Sequence, residues 1–513
     1  MDLLSPIAWI FAVLYALAMA ALLMYGLNLL WLAVQYARGR RTRPRLSPNA
    51  PAPDDTWPDV TVQLPLYNEP YVTARLIDAC ARLTYPRGKL EIQVLDDSTD
   101  ETGRIAAERV AYWHMRGIDI AHIHRNGRDG YKAGALQNGL RLARGTLIAI
   151  FDADFLPPRD FLLRMVPEFD NPRVGMVQAR WGHLNGDTSL LTRLQAFGLD
   201  AHFAVEQQAR YQSGLFMSFN GTAGIWRRAC IEDAGGWQAD TLTEDLDLSY
   251  RAQLRGWRFK FVSDLEVPAE LPADFGALRT QQFRWTKGAA ETALKLLGTL
   301  WRSGQALPVK LEGTLHLTAH TAFPFVLLAA LLHAPLLLLR ELGYGPGEPY
   351  FAAMGLGLFG LAGFFLAHAF AQHALYPDWR RRLLLFPLFM AGSMGMALSN
   401  TRAVWQAFRR KRSPFVRTPK YPARQERRSR EGARTRSWSG VPADAWLELG
   451  VASYGAFGLV LLIWQGVWAG VPFQALYVLG FALLALPSLR AVPDSDIRST
   501  IPHIELADLS HNA

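Results

Sequence analysis

Carboxylate, guanidinium and indole side chains stand at the two ends of residues 243–287. Glu244 and Asp245 open this segment, and Arg284 lies directly before Trp285 near its end. A carboxylate can take a proton from a hydroxyl, a guanidinium can hold a diphosphate, and an indole offers a flat face to a sugar ring. An isolated acidic pair also commonly marks the exposed start of a helix. Its meaning therefore depends on the residues upstream.

Two further aspartate pairs each follow an apolar stretch that is typical of a strand. Asp96 and Asp97 form the first pair, and Asp152 and Asp154 form the second. Asp97 could simply cap the helix that follows it. In an extended backbone, Asp152 and Asp154 point the same way, and two such oxygen ligands can share Mg2+ or Mn2+ with substrate phosphates. The second pair therefore predicts a divalent-cation site, although a D-x-D pattern alone is a weak signal.

The elements that would position these pairs alternate between strand and helix. Strands are predicted at 60–65, 91–95, 118–124 and 146–151, and helices at 71–83, 101–117 and from 131 onward. Such alternation predicts an α/β domain with a mostly parallel sheet, whose ligands bind at the carboxyl ends of the strands. Both aspartate pairs fall at strand ends of this kind.

Composition separates this domain from a membrane region. The 513 residues are 50% hydrophobic and only 19% charged, with the apolar residues concentrated in 3–36 and beyond 311. The net charge of +9 comes mostly from Arg clusters beside apolar runs, which indicates membrane topology rather than nucleic-acid binding.

The two cysteines are predicted to stay reduced. The histidines at 114, 122 and 124 show no metal-ligand spacing and are predicted to be structural.

Charge asymmetry predicts how the chain crosses the membrane. Residues 3–36 carry no charge and are followed by several Arg residues, which predicts an uncleaved span with its N-terminus outside. Residues 383–401 are also long enough to cross, but crossing would place the Arg-rich segment 409–436 outside. We therefore expect an interfacial or re-entrant helix there. The predicted organisation is 1–36 N-terminal span, 37–57 linker, 58–287 cytosolic domain, 288–321 interfacial helices, 322–376 two spans, 377–408 interfacial or re-entrant helix, 409–440 basic loop, 445–489 two spans and 490–513 tail.

An ordered set of motifs runs through the predicted domain. They are Asp96-Asp97, Tyr131-Lys132-Ala133-Gly134, Asp152-Ala153-Asp154, Gln178-Ala179-Arg180-Trp181, Phe219-Asn220-Gly221-Thr222, Gly235-Gly236-Trp237, Thr243-Glu244-Asp245 and Gln281-x-x-Arg284-Trp285. Their order and spacing resemble the membrane-embedded processive β-glycosyltransferases of family 2, the cellulose-synthase-like group, over about residues 58–420. Residues 96–100 look most like the glucomannan-synthase branch, cellulose-synthase-like A and C. The resemblance implies a GT-A-type domain joined to a multi-span helical membrane region.

The resemblance also implies a role for each motif. Donor-binding residues would be Glu69, Asp96, Asp97 (the nucleoside base), Lys132 (the diphosphate), Asp152, Thr418 and Lys420. Metal ligands would be Asp152 and Asp154, and the acceptor end would be lined by Phe219, Asn220, Gly221, Thr222 and Trp285. Catalytic residues would be Asp245 as the general base, Glu244 beside it, Arg284 as the diphosphate clamp, Trp285 and Gln281. Residues 415–420 look like the family's gating loop, with Arg417 where the family often has Val.

These implications predict an inverting transferase at the plasma (inner) membrane. It would polymerise hexose from UDP-glucose or GDP-mannose into a β-linked glucan, mannan or glucomannan and pass the chain through the membrane. The expected partners are a nucleotide-sugar donor, a growing polysaccharide or glycolipid acceptor and the lipid bilayer. Alternatives are a non-processive transferase with a lipid acceptor and a transporter with a degenerate domain. Nucleic-acid binding is not expected, because the basic segment offers few aromatic residues for stacking.

Overall fold

A computed structural model describes residues 4–39, 56–411 and 443–490. The predicted basic loop, with Thr418 and Lys420, lies outside the described residues from position 412 onward. Most of the predicted linker and nearly all of the tail also lie outside them.

A seven-stranded sheet forms the centre of the α/β domain that was predicted over residues 58–287. Its strands are β1 Val60–Leu66, β2 Leu90–Asp96, β3 Ile120–His124, β4 Leu147–Ile150, β5 Val174–His183, β6 Gly224–Arg227 and β7 Arg258–Ala269. They lie in the order β3-β2-β1-β4-β6-β5-β7, and only β6 runs antiparallel to its neighbours. The prediction of a mostly parallel sheet is confirmed.

The register of the central strands brings the two aspartate pairs to one edge. All four residues of β4 are buried, as expected for a strand covered on both faces. β1 pairs in parallel with both β2 and β4, so that Leu66 lies opposite Asp96 and Gln63 lies opposite Ile150. Asp152 lies two residues past Ile150, the last residue of β4. Both pairs therefore lie at the carboxyl edge of the sheet.

The helices of this part pack on the sheet or lead to the membrane. They are α1 Leu4–Gly39, α2 Pro70–Ala81, α3 Thr102–His114, α4 Tyr131–Leu142, α5 Phe161–Met165, α6 Leu190–Ala201, α7 Gln208–Gln212, α8 Arg228–Asp233, α9 Glu244–Leu254 and α10 Phe275–Arg302. A π-helical segment, His202–Gln207, joins α6 to α7. α10 is continuous across position 288, so the end of the predicted domain and the start of the predicted interfacial segment share one helix.

The remaining helices form the apolar region. They are α11 Leu307–Thr318, α12 Ala322–Glu341, α13 Glu348–Met354, α14 Gly357–Leu375, α15 Trp379–Arg382, α16 Phe386–Gly395, α17 Ala397–Phe408, α18 Ala443–Trp464 and α19 Val471–Arg490. Among the described residues, five helical stretches are long and apolar enough to cross a membrane, the number predicted from the sequence: Leu4–Gly39, Leu307–Glu341, Glu348–Leu375, Asp444–Trp464 and Trp468–Leu486. These helices are consistent with a multi-pass membrane protein.

Two features of this region concern helix packing. α1 and α14 touch backbone to backbone, since a Cβ on Gly363 would lie 2.1 Å from the carbonyl oxygen of Gly26. Small residues allow such close approach between membrane helices. The segment Trp379–Gly395 meets Ala397–Phe408 at a 44° bend, which is the geometry of a broken span or a re-entrant segment. The predicted interfacial or re-entrant helix falls on this bent pair.

Candidate active site

Lys132 lies where four separate pieces of the chain meet. α4 starts beside it, after Gly130, whose φ of 71° is in the left-handed region that favours glycine. The Lys132 Nζ donates to Asp152 Oδ1 at 2.5 Å and to the Gly221 carbonyl at 2.9 Å. It also lies 3.8 Å from Glu244 Oε1. One ammonium therefore connects the end of β4, the 219–222 loop and the start of α9.

Gly221 allows this close approach. A Cβ at this position would lie 3.1 Å from Asp245 Oδ2 and 3.3 Å from the Lys132 Nζ. Its φ of 80° is in addition one that side-chain-bearing residues rarely adopt. The motif containing Gly221 thus brings backbone, ammonium and carboxylate together at one point.

Asp245 has the protonation behaviour of a base at neutral pH. It lies in the first turn of α9 beside Glu244, at a helix N-terminus that favours carboxylates. Loss of solvent and, next, the negative charge of Glu244 raise the pKa of Asp245, the positive charge of Lys132 opposes both, and the net result is a pKa of about 7. A general base works best when its pKa lies near the working pH. Asp245 meets that condition.

The Gln281-x-x-Arg284-Trp285 motif lies on α10, where its three side chains share one helix face and are half-buried. α10 presses against the residue that precedes α9, because a Cβ on Gly288 would lie 2.5 Å from Thr243 Cγ2. This contact brings the motif towards the carboxylates.

Electrostatics place Arg284 among those carboxylates. Burial lowers the pKa of the Arg284 guanidinium, and nearby negative charges oppose that effect. Those charges belong to Glu244, Asp152, Asp245 and Glu69. A guanidinium keeps its charge at neutral pH under such conditions. Arg284 and Lys132 therefore supply two cations to a site in which carboxylates predominate.

The 219–222 loop differs in part from the sequence prediction. The Phe219 side chain is 1% exposed and packs edge-on against Trp226, so it belongs to the core and does not face an acceptor. Thr222 is fully buried, and its hydroxyl accepts from the Asp152 backbone N–H at 2.9 Å. These two side chains hold the loop and Asp152 in place. Asn220 is the half-buried side chain of the loop.

Asn220 is positioned by the π-helical segment between α6 and α7. Gln207 donates to Asn220 Oδ1 at 2.7 Å, and His202 Nε2 lies 3.1 Å from Asn220 Nδ2. π-helical insertions occur frequently at functional sites. Sequence reasoning missed both residues, because nothing in the pattern of 190–212 distinguishes a π-turn from a continuous helix.

The donor atoms predicted for a divalent cation are compatible with one. Lys132 engages Oδ1 of Asp152, while that side chain remains 34% exposed. Asp154 is 7% exposed and lies two residues further along the same loop. Carboxylate oxygens are the ligands that Mg2+ and Mn2+ prefer. Asp152 and Asp154 therefore offer the kind of ligand atoms that Mg2+ or Mn2+ requires.

The first aspartate pair has partners that the sequence analysis did not find. The Arg125 guanidinium forms a bidentate ion pair with the Asp97 carboxylate, with Nε donating to Oδ1 at 2.6 Å and Nη2 donating to Oδ2 at 2.5 Å. Asp96 is fully buried, and its Oδ2 lies 2.9 Å from His122 Nε2 and 3.3 Å from His124 Nδ1. The prediction that His122 and His124 lack partners at metal-ligand spacing is wrong. They come from the neighbouring strand β3, so only the strand pairing reveals them.

A buried ion-pair cluster lies on the membrane side of the site. Arg210 Nε donates to Glu312 Oε1 at 2.7 Å, and Arg210 Nη2 donates to Glu206 Oε2 at 3.0 Å. Burial would raise the pKa of Glu206, but the hydrogen bond from His202 and the charge of Arg210 lower it to about 2. The cluster ties the π-helical segment to α11, the first helix of an apolar stretch.

Comparison with known proteins identifies the domain that carries this site. Residues 58–288 match the sequence model described as glycosyltransferase-like family 2. The chain carries a glycosyltransferase family 2 domain. All the described residues predicted to bind the donor, to act as the base or to hold the diphosphate lie inside the matched range.

Curated relatives match about half of the chain. Glucomannan 4-beta-mannosyltransferase 7 of Arabidopsis thaliana is 40% identical over 305 residues, which cover 57% of this chain and 55% of that protein. Glucomannan 4-beta-mannosyltransferase 2 of the same plant is 46% identical over 252 residues, or 48% of this chain and 47% of that protein. Glucomannan 4-beta-mannosyltransferase 1 of Oryza sativa subsp. japonica is 43% identical over 268 residues, covering 49% and 51%. The chain spans about half the length of the curated relatives it matches.

A solved structure shares the fold of the family 2 domain. It is the mannosyltransferase from Pyrobaculum calidifontis in complex with GDP-Man and Mn2+, with a TM-score of 0.52 and 23% identity. The likeness covers 78% of this chain and 100% of that one. The GT-A-type fold predicted for the domain is confirmed.

Proposed function

We propose that the protein is an inverting, processive membrane glycosyltransferase that extends a β-linked mannan or glucomannan from a nucleotide-sugar donor. The observation that carries this proposal is the convergence of Lys132, Asp152 and Asp245 around Gly221, with Arg284 in the electrostatic field of the same carboxylates. The carboxyl edge of the sheet, here called the strand edge, thus carries a base, two cations and a pair of carboxylates suited to a metal ion. These are the groups that transfer of a glycosyl unit needs.

Transfer proceeds in one displacement. Asp245 takes the proton of the acceptor hydroxyl, and the hydroxyl oxygen attacks the anomeric carbon of the donor sugar. The bond from that carbon to the phosphate oxygen breaks, and its electron pair leaves with the nucleoside diphosphate. Lys132 and Arg284 stabilise the charge that develops on the leaving group. Attack from the face opposite the leaving group inverts the anomeric centre.

Asp152 and Asp154 would hold a divalent cation, Mg2+ or Mn2+. Such an ion neutralises charge on a diphosphate when it is bound. The mannosyltransferase of similar fold was solved with Mn2+, which supports the assignment.

A chelator should abolish transfer, and added Mg2+ or Mn2+ should restore it. Full activity of Asp154→Ala in the presence of chelator would contradict the assignment.

GDP-mannose is the donor that the comparisons favour over UDP-glucose. The curated relatives are glucomannan 4-beta-mannosyltransferases at 40–46% identity. The structural neighbour was solved with GDP-Man. Asp97 and Glu69 lie at the same carboxyl edge as Lys132, and we assign the nucleoside end of the donor to that side. Asp96, which is fully buried next to Asp97, would support this side of the site without touching the donor.

Incubation of membranes that contain the full chain with labelled donor tests the activity. GDP-mannose should yield label in a polymer that endo-β-mannanase digests, and Asp245→Asn membranes should yield at least about 100-fold less. UDP-glucose in parallel tests the alternative donor. Label confined to a lipid extract would contradict processive synthesis and would favour a non-processive transferase with a lipid acceptor.

We propose that the family 2 domain faces the cytoplasm and the N-terminus faces out, because basic residues follow the first span directly. Both cysteines of the chain are buried, so an introduced cysteine reports its own position. Met115→Cys, at an exposed site on the domain, should resist a membrane-impermeant thiol reagent in intact cells. Leu342→Cys, exposed between two apolar stretches, should react. The reverse pattern would contradict the orientation.

A further inference from the structure

We propose that Asp96, His122 and His124 form a second metal site, specific for Zn2+ or a similar first-row transition ion. One ligand atom from each residue lies within 4.8 Å of the other two, in a group that spans β2 and β3. The site is separate from the carboxylates of Asp152 and Asp154 and does not depend on the proposed transfer reaction.

Strand pairing creates the group. His124 lies opposite Asp96 in the parallel register, and His122 points to the same face because it is two residues earlier on β3. The Asp96 Oδ2 lies 2.9 Å from His122 Nε2 and 3.3 Å from His124 Nδ1. Tetrahedral ligands held about 2.0–2.1 Å from zinc stand about 3.3 Å apart. The two oxygen–nitrogen separations therefore lie near the spacing of ligands that share one ion.

The surroundings of Asp96 are those of a metal ligand. Its Oδ1 accepts from the Ser98 backbone N–H at 2.8 Å, which leaves Oδ2 directed at the two imidazoles. Hydrogen bonds of this kind orient ligands in known metal sites. Gly103 in the first turn of α3 faces Oδ2, and a Cβ there would already lie 3.1 Å from it. The glycine leaves space beside the carboxylate.

The ligand set selects the class of ion. Imidazole nitrogen favours zinc and neighbouring transition ions, whereas Mg2+ prefers oxygen ligands alone. The carboxylate is fully buried, but the His122 side chain is 20% exposed and that of His124 is 44% exposed. Solvent therefore reaches the open side of the group, and water can complete the coordination.

A bound ion would brace the nucleoside end of the family 2 domain. β3 is an edge strand, which among the described strands pairs only with β2. Asp97 directly follows β2 and Arg125 directly follows β3, and these two residues form an ion pair. A metal that links Asp96 to β3 fixes the backbone from which this pair projects. We expect bound zinc to stabilise the domain rather than to take part in transfer.

Zinc titration of the purified full chain in detergent tests the site. After chelator treatment, Zn2+ is titrated in competition with a chromophoric indicator, with millimolar Mg2+ present to fill oxygen sites. The wild type should bind one more zinc ion than His122→Gln or His124→Gln. Loss of a supporting hydrogen bond alone weakens metal binding about 10–100-fold, so loss of a ligand should weaken it about 100-fold or more.

The Gln variants separate a metal site from a hydrogen-bonded cluster. Gln can still donate to Asp96 but is a poor zinc ligand, so folding should be preserved. His114→Ala, an exposed histidine outside the group, is the matched control and should bind zinc like the wild type. Zinc should raise the melting temperature of the wild type and the control but not of His122→Gln. Equal zinc affinity and equal melting shifts in all four proteins would overturn the proposal.

Polymer synthesis measured in the same preparations keeps the two proposals apart. Zinc binding lost in His122→Gln with polymer synthesis retained supports the second metal site without touching the reaction. Zinc binding retained in a preparation that makes no polymer from either donor counts against the proposed function alone.

Discussion

The strand edge and the membrane side of the site use charge in opposite ways. At the strand edge, Lys132 and Asp152 form an ion pair whose side chains are 16% and 34% exposed. On the membrane side, Arg210 and Glu312 form a pair of similar length whose side chains are only 3% and 1% exposed. The first pair can exchange partners when an anionic ligand and a cation arrive. The second has no solvent to replace a lost partner.

This difference separates residues for chemistry from residues for architecture. A partly exposed ion pair contributes little to stability, about 0–1 kcal/mol. Removal of one partner from a buried pair leaves an uncompensated charge and costs about 3–5 kcal/mol. Substitutions at the strand edge should therefore reduce activity in a folded protein, whereas substitutions in the membrane-side cluster should unfold it.

Asp245→Asn should show the largest effect on activity. The amide keeps the shape of the side chain but cannot take a proton, so turnover should fall about 10²–10⁴-fold. Donor affinity should stay near that of the wild type. Asp264→Asn, at an exposed site, is the control. If Asp245→Asn weakened nucleotide binding while sparing the turnover of bound donor, the base would have to be sought at Glu244 or Asp247.

Arg210→Leu should affect stability instead. It leaves Glu312 buried without its partner, with an expected loss of about 3–5 kcal/mol in the free energy of unfolding. Thermal melting of the full chain in detergent measures this. Arg104→Leu removes one partner of an exposed pair with Glu108 and should change the melting temperature little. Similar melting losses in both variants would erase the distinction between the two regions.

Arg284→Ala should reduce both binding and turnover. In the proposed mechanism its guanidinium meets the diphosphate in the bound donor and again as the diphosphate departs, so one substitution should weaken both steps. Loss of a charge-assisted hydrogen bond, about 1.5–3 kcal/mol, corresponds to about 10–100-fold in donor affinity. Nucleotide titration beside turnover checks this. Unchanged donor affinity with reduced turnover would assign Arg284 to another step.

Trp285→Ala should give the smallest change in rate but a clear change in product. Stacking of an aromatic ring contributes about 0.5–1.5 kcal/mol beyond buried area, so acceptor engagement should weaken by roughly tenfold or less. The polymer should become shorter while hydrolysis of the donor continues. Chain length on a sizing column, measured beside donor consumption, tests this role. A polymer of normal length would show that Trp285 is not an acceptor contact.

The sequence predicted local features well and tertiary contacts poorly. β4 and its aspartates were predictable because a continuous apolar run ends at them. Lys132, Asp245 and Arg284 were predictable as a set because the motif order resembles a known family. Phe219 and Thr222 were predicted to face an acceptor and are buried, because which side of a loop faces the core depends on packing.

Residues joined only by strand pairing or by a helix irregularity could not be predicted. The two histidines of β3, and Arg125 directly after it, reach the aspartate pair. The register of β3 against β2 cannot be read from the sequence of either strand alone. Gln207 reaches Asn220 from a π-helical segment that has no distinctive local sequence. In both cases the deciding contact joins residues from different elements.

The pH dependence of turnover at saturating donor tests the central claim, that Asp245 is a base tuned by its site. Because the pKa of this acid is raised to about 7 and the base is its ionised form, turnover should rise with pH through about 7 and then level off. Glu244→Gln removes a negative charge that raises this pKa, so the midpoint should move to lower pH. A profile that is flat across the neutral range, or a midpoint that Glu244→Gln leaves in place, would contradict the account.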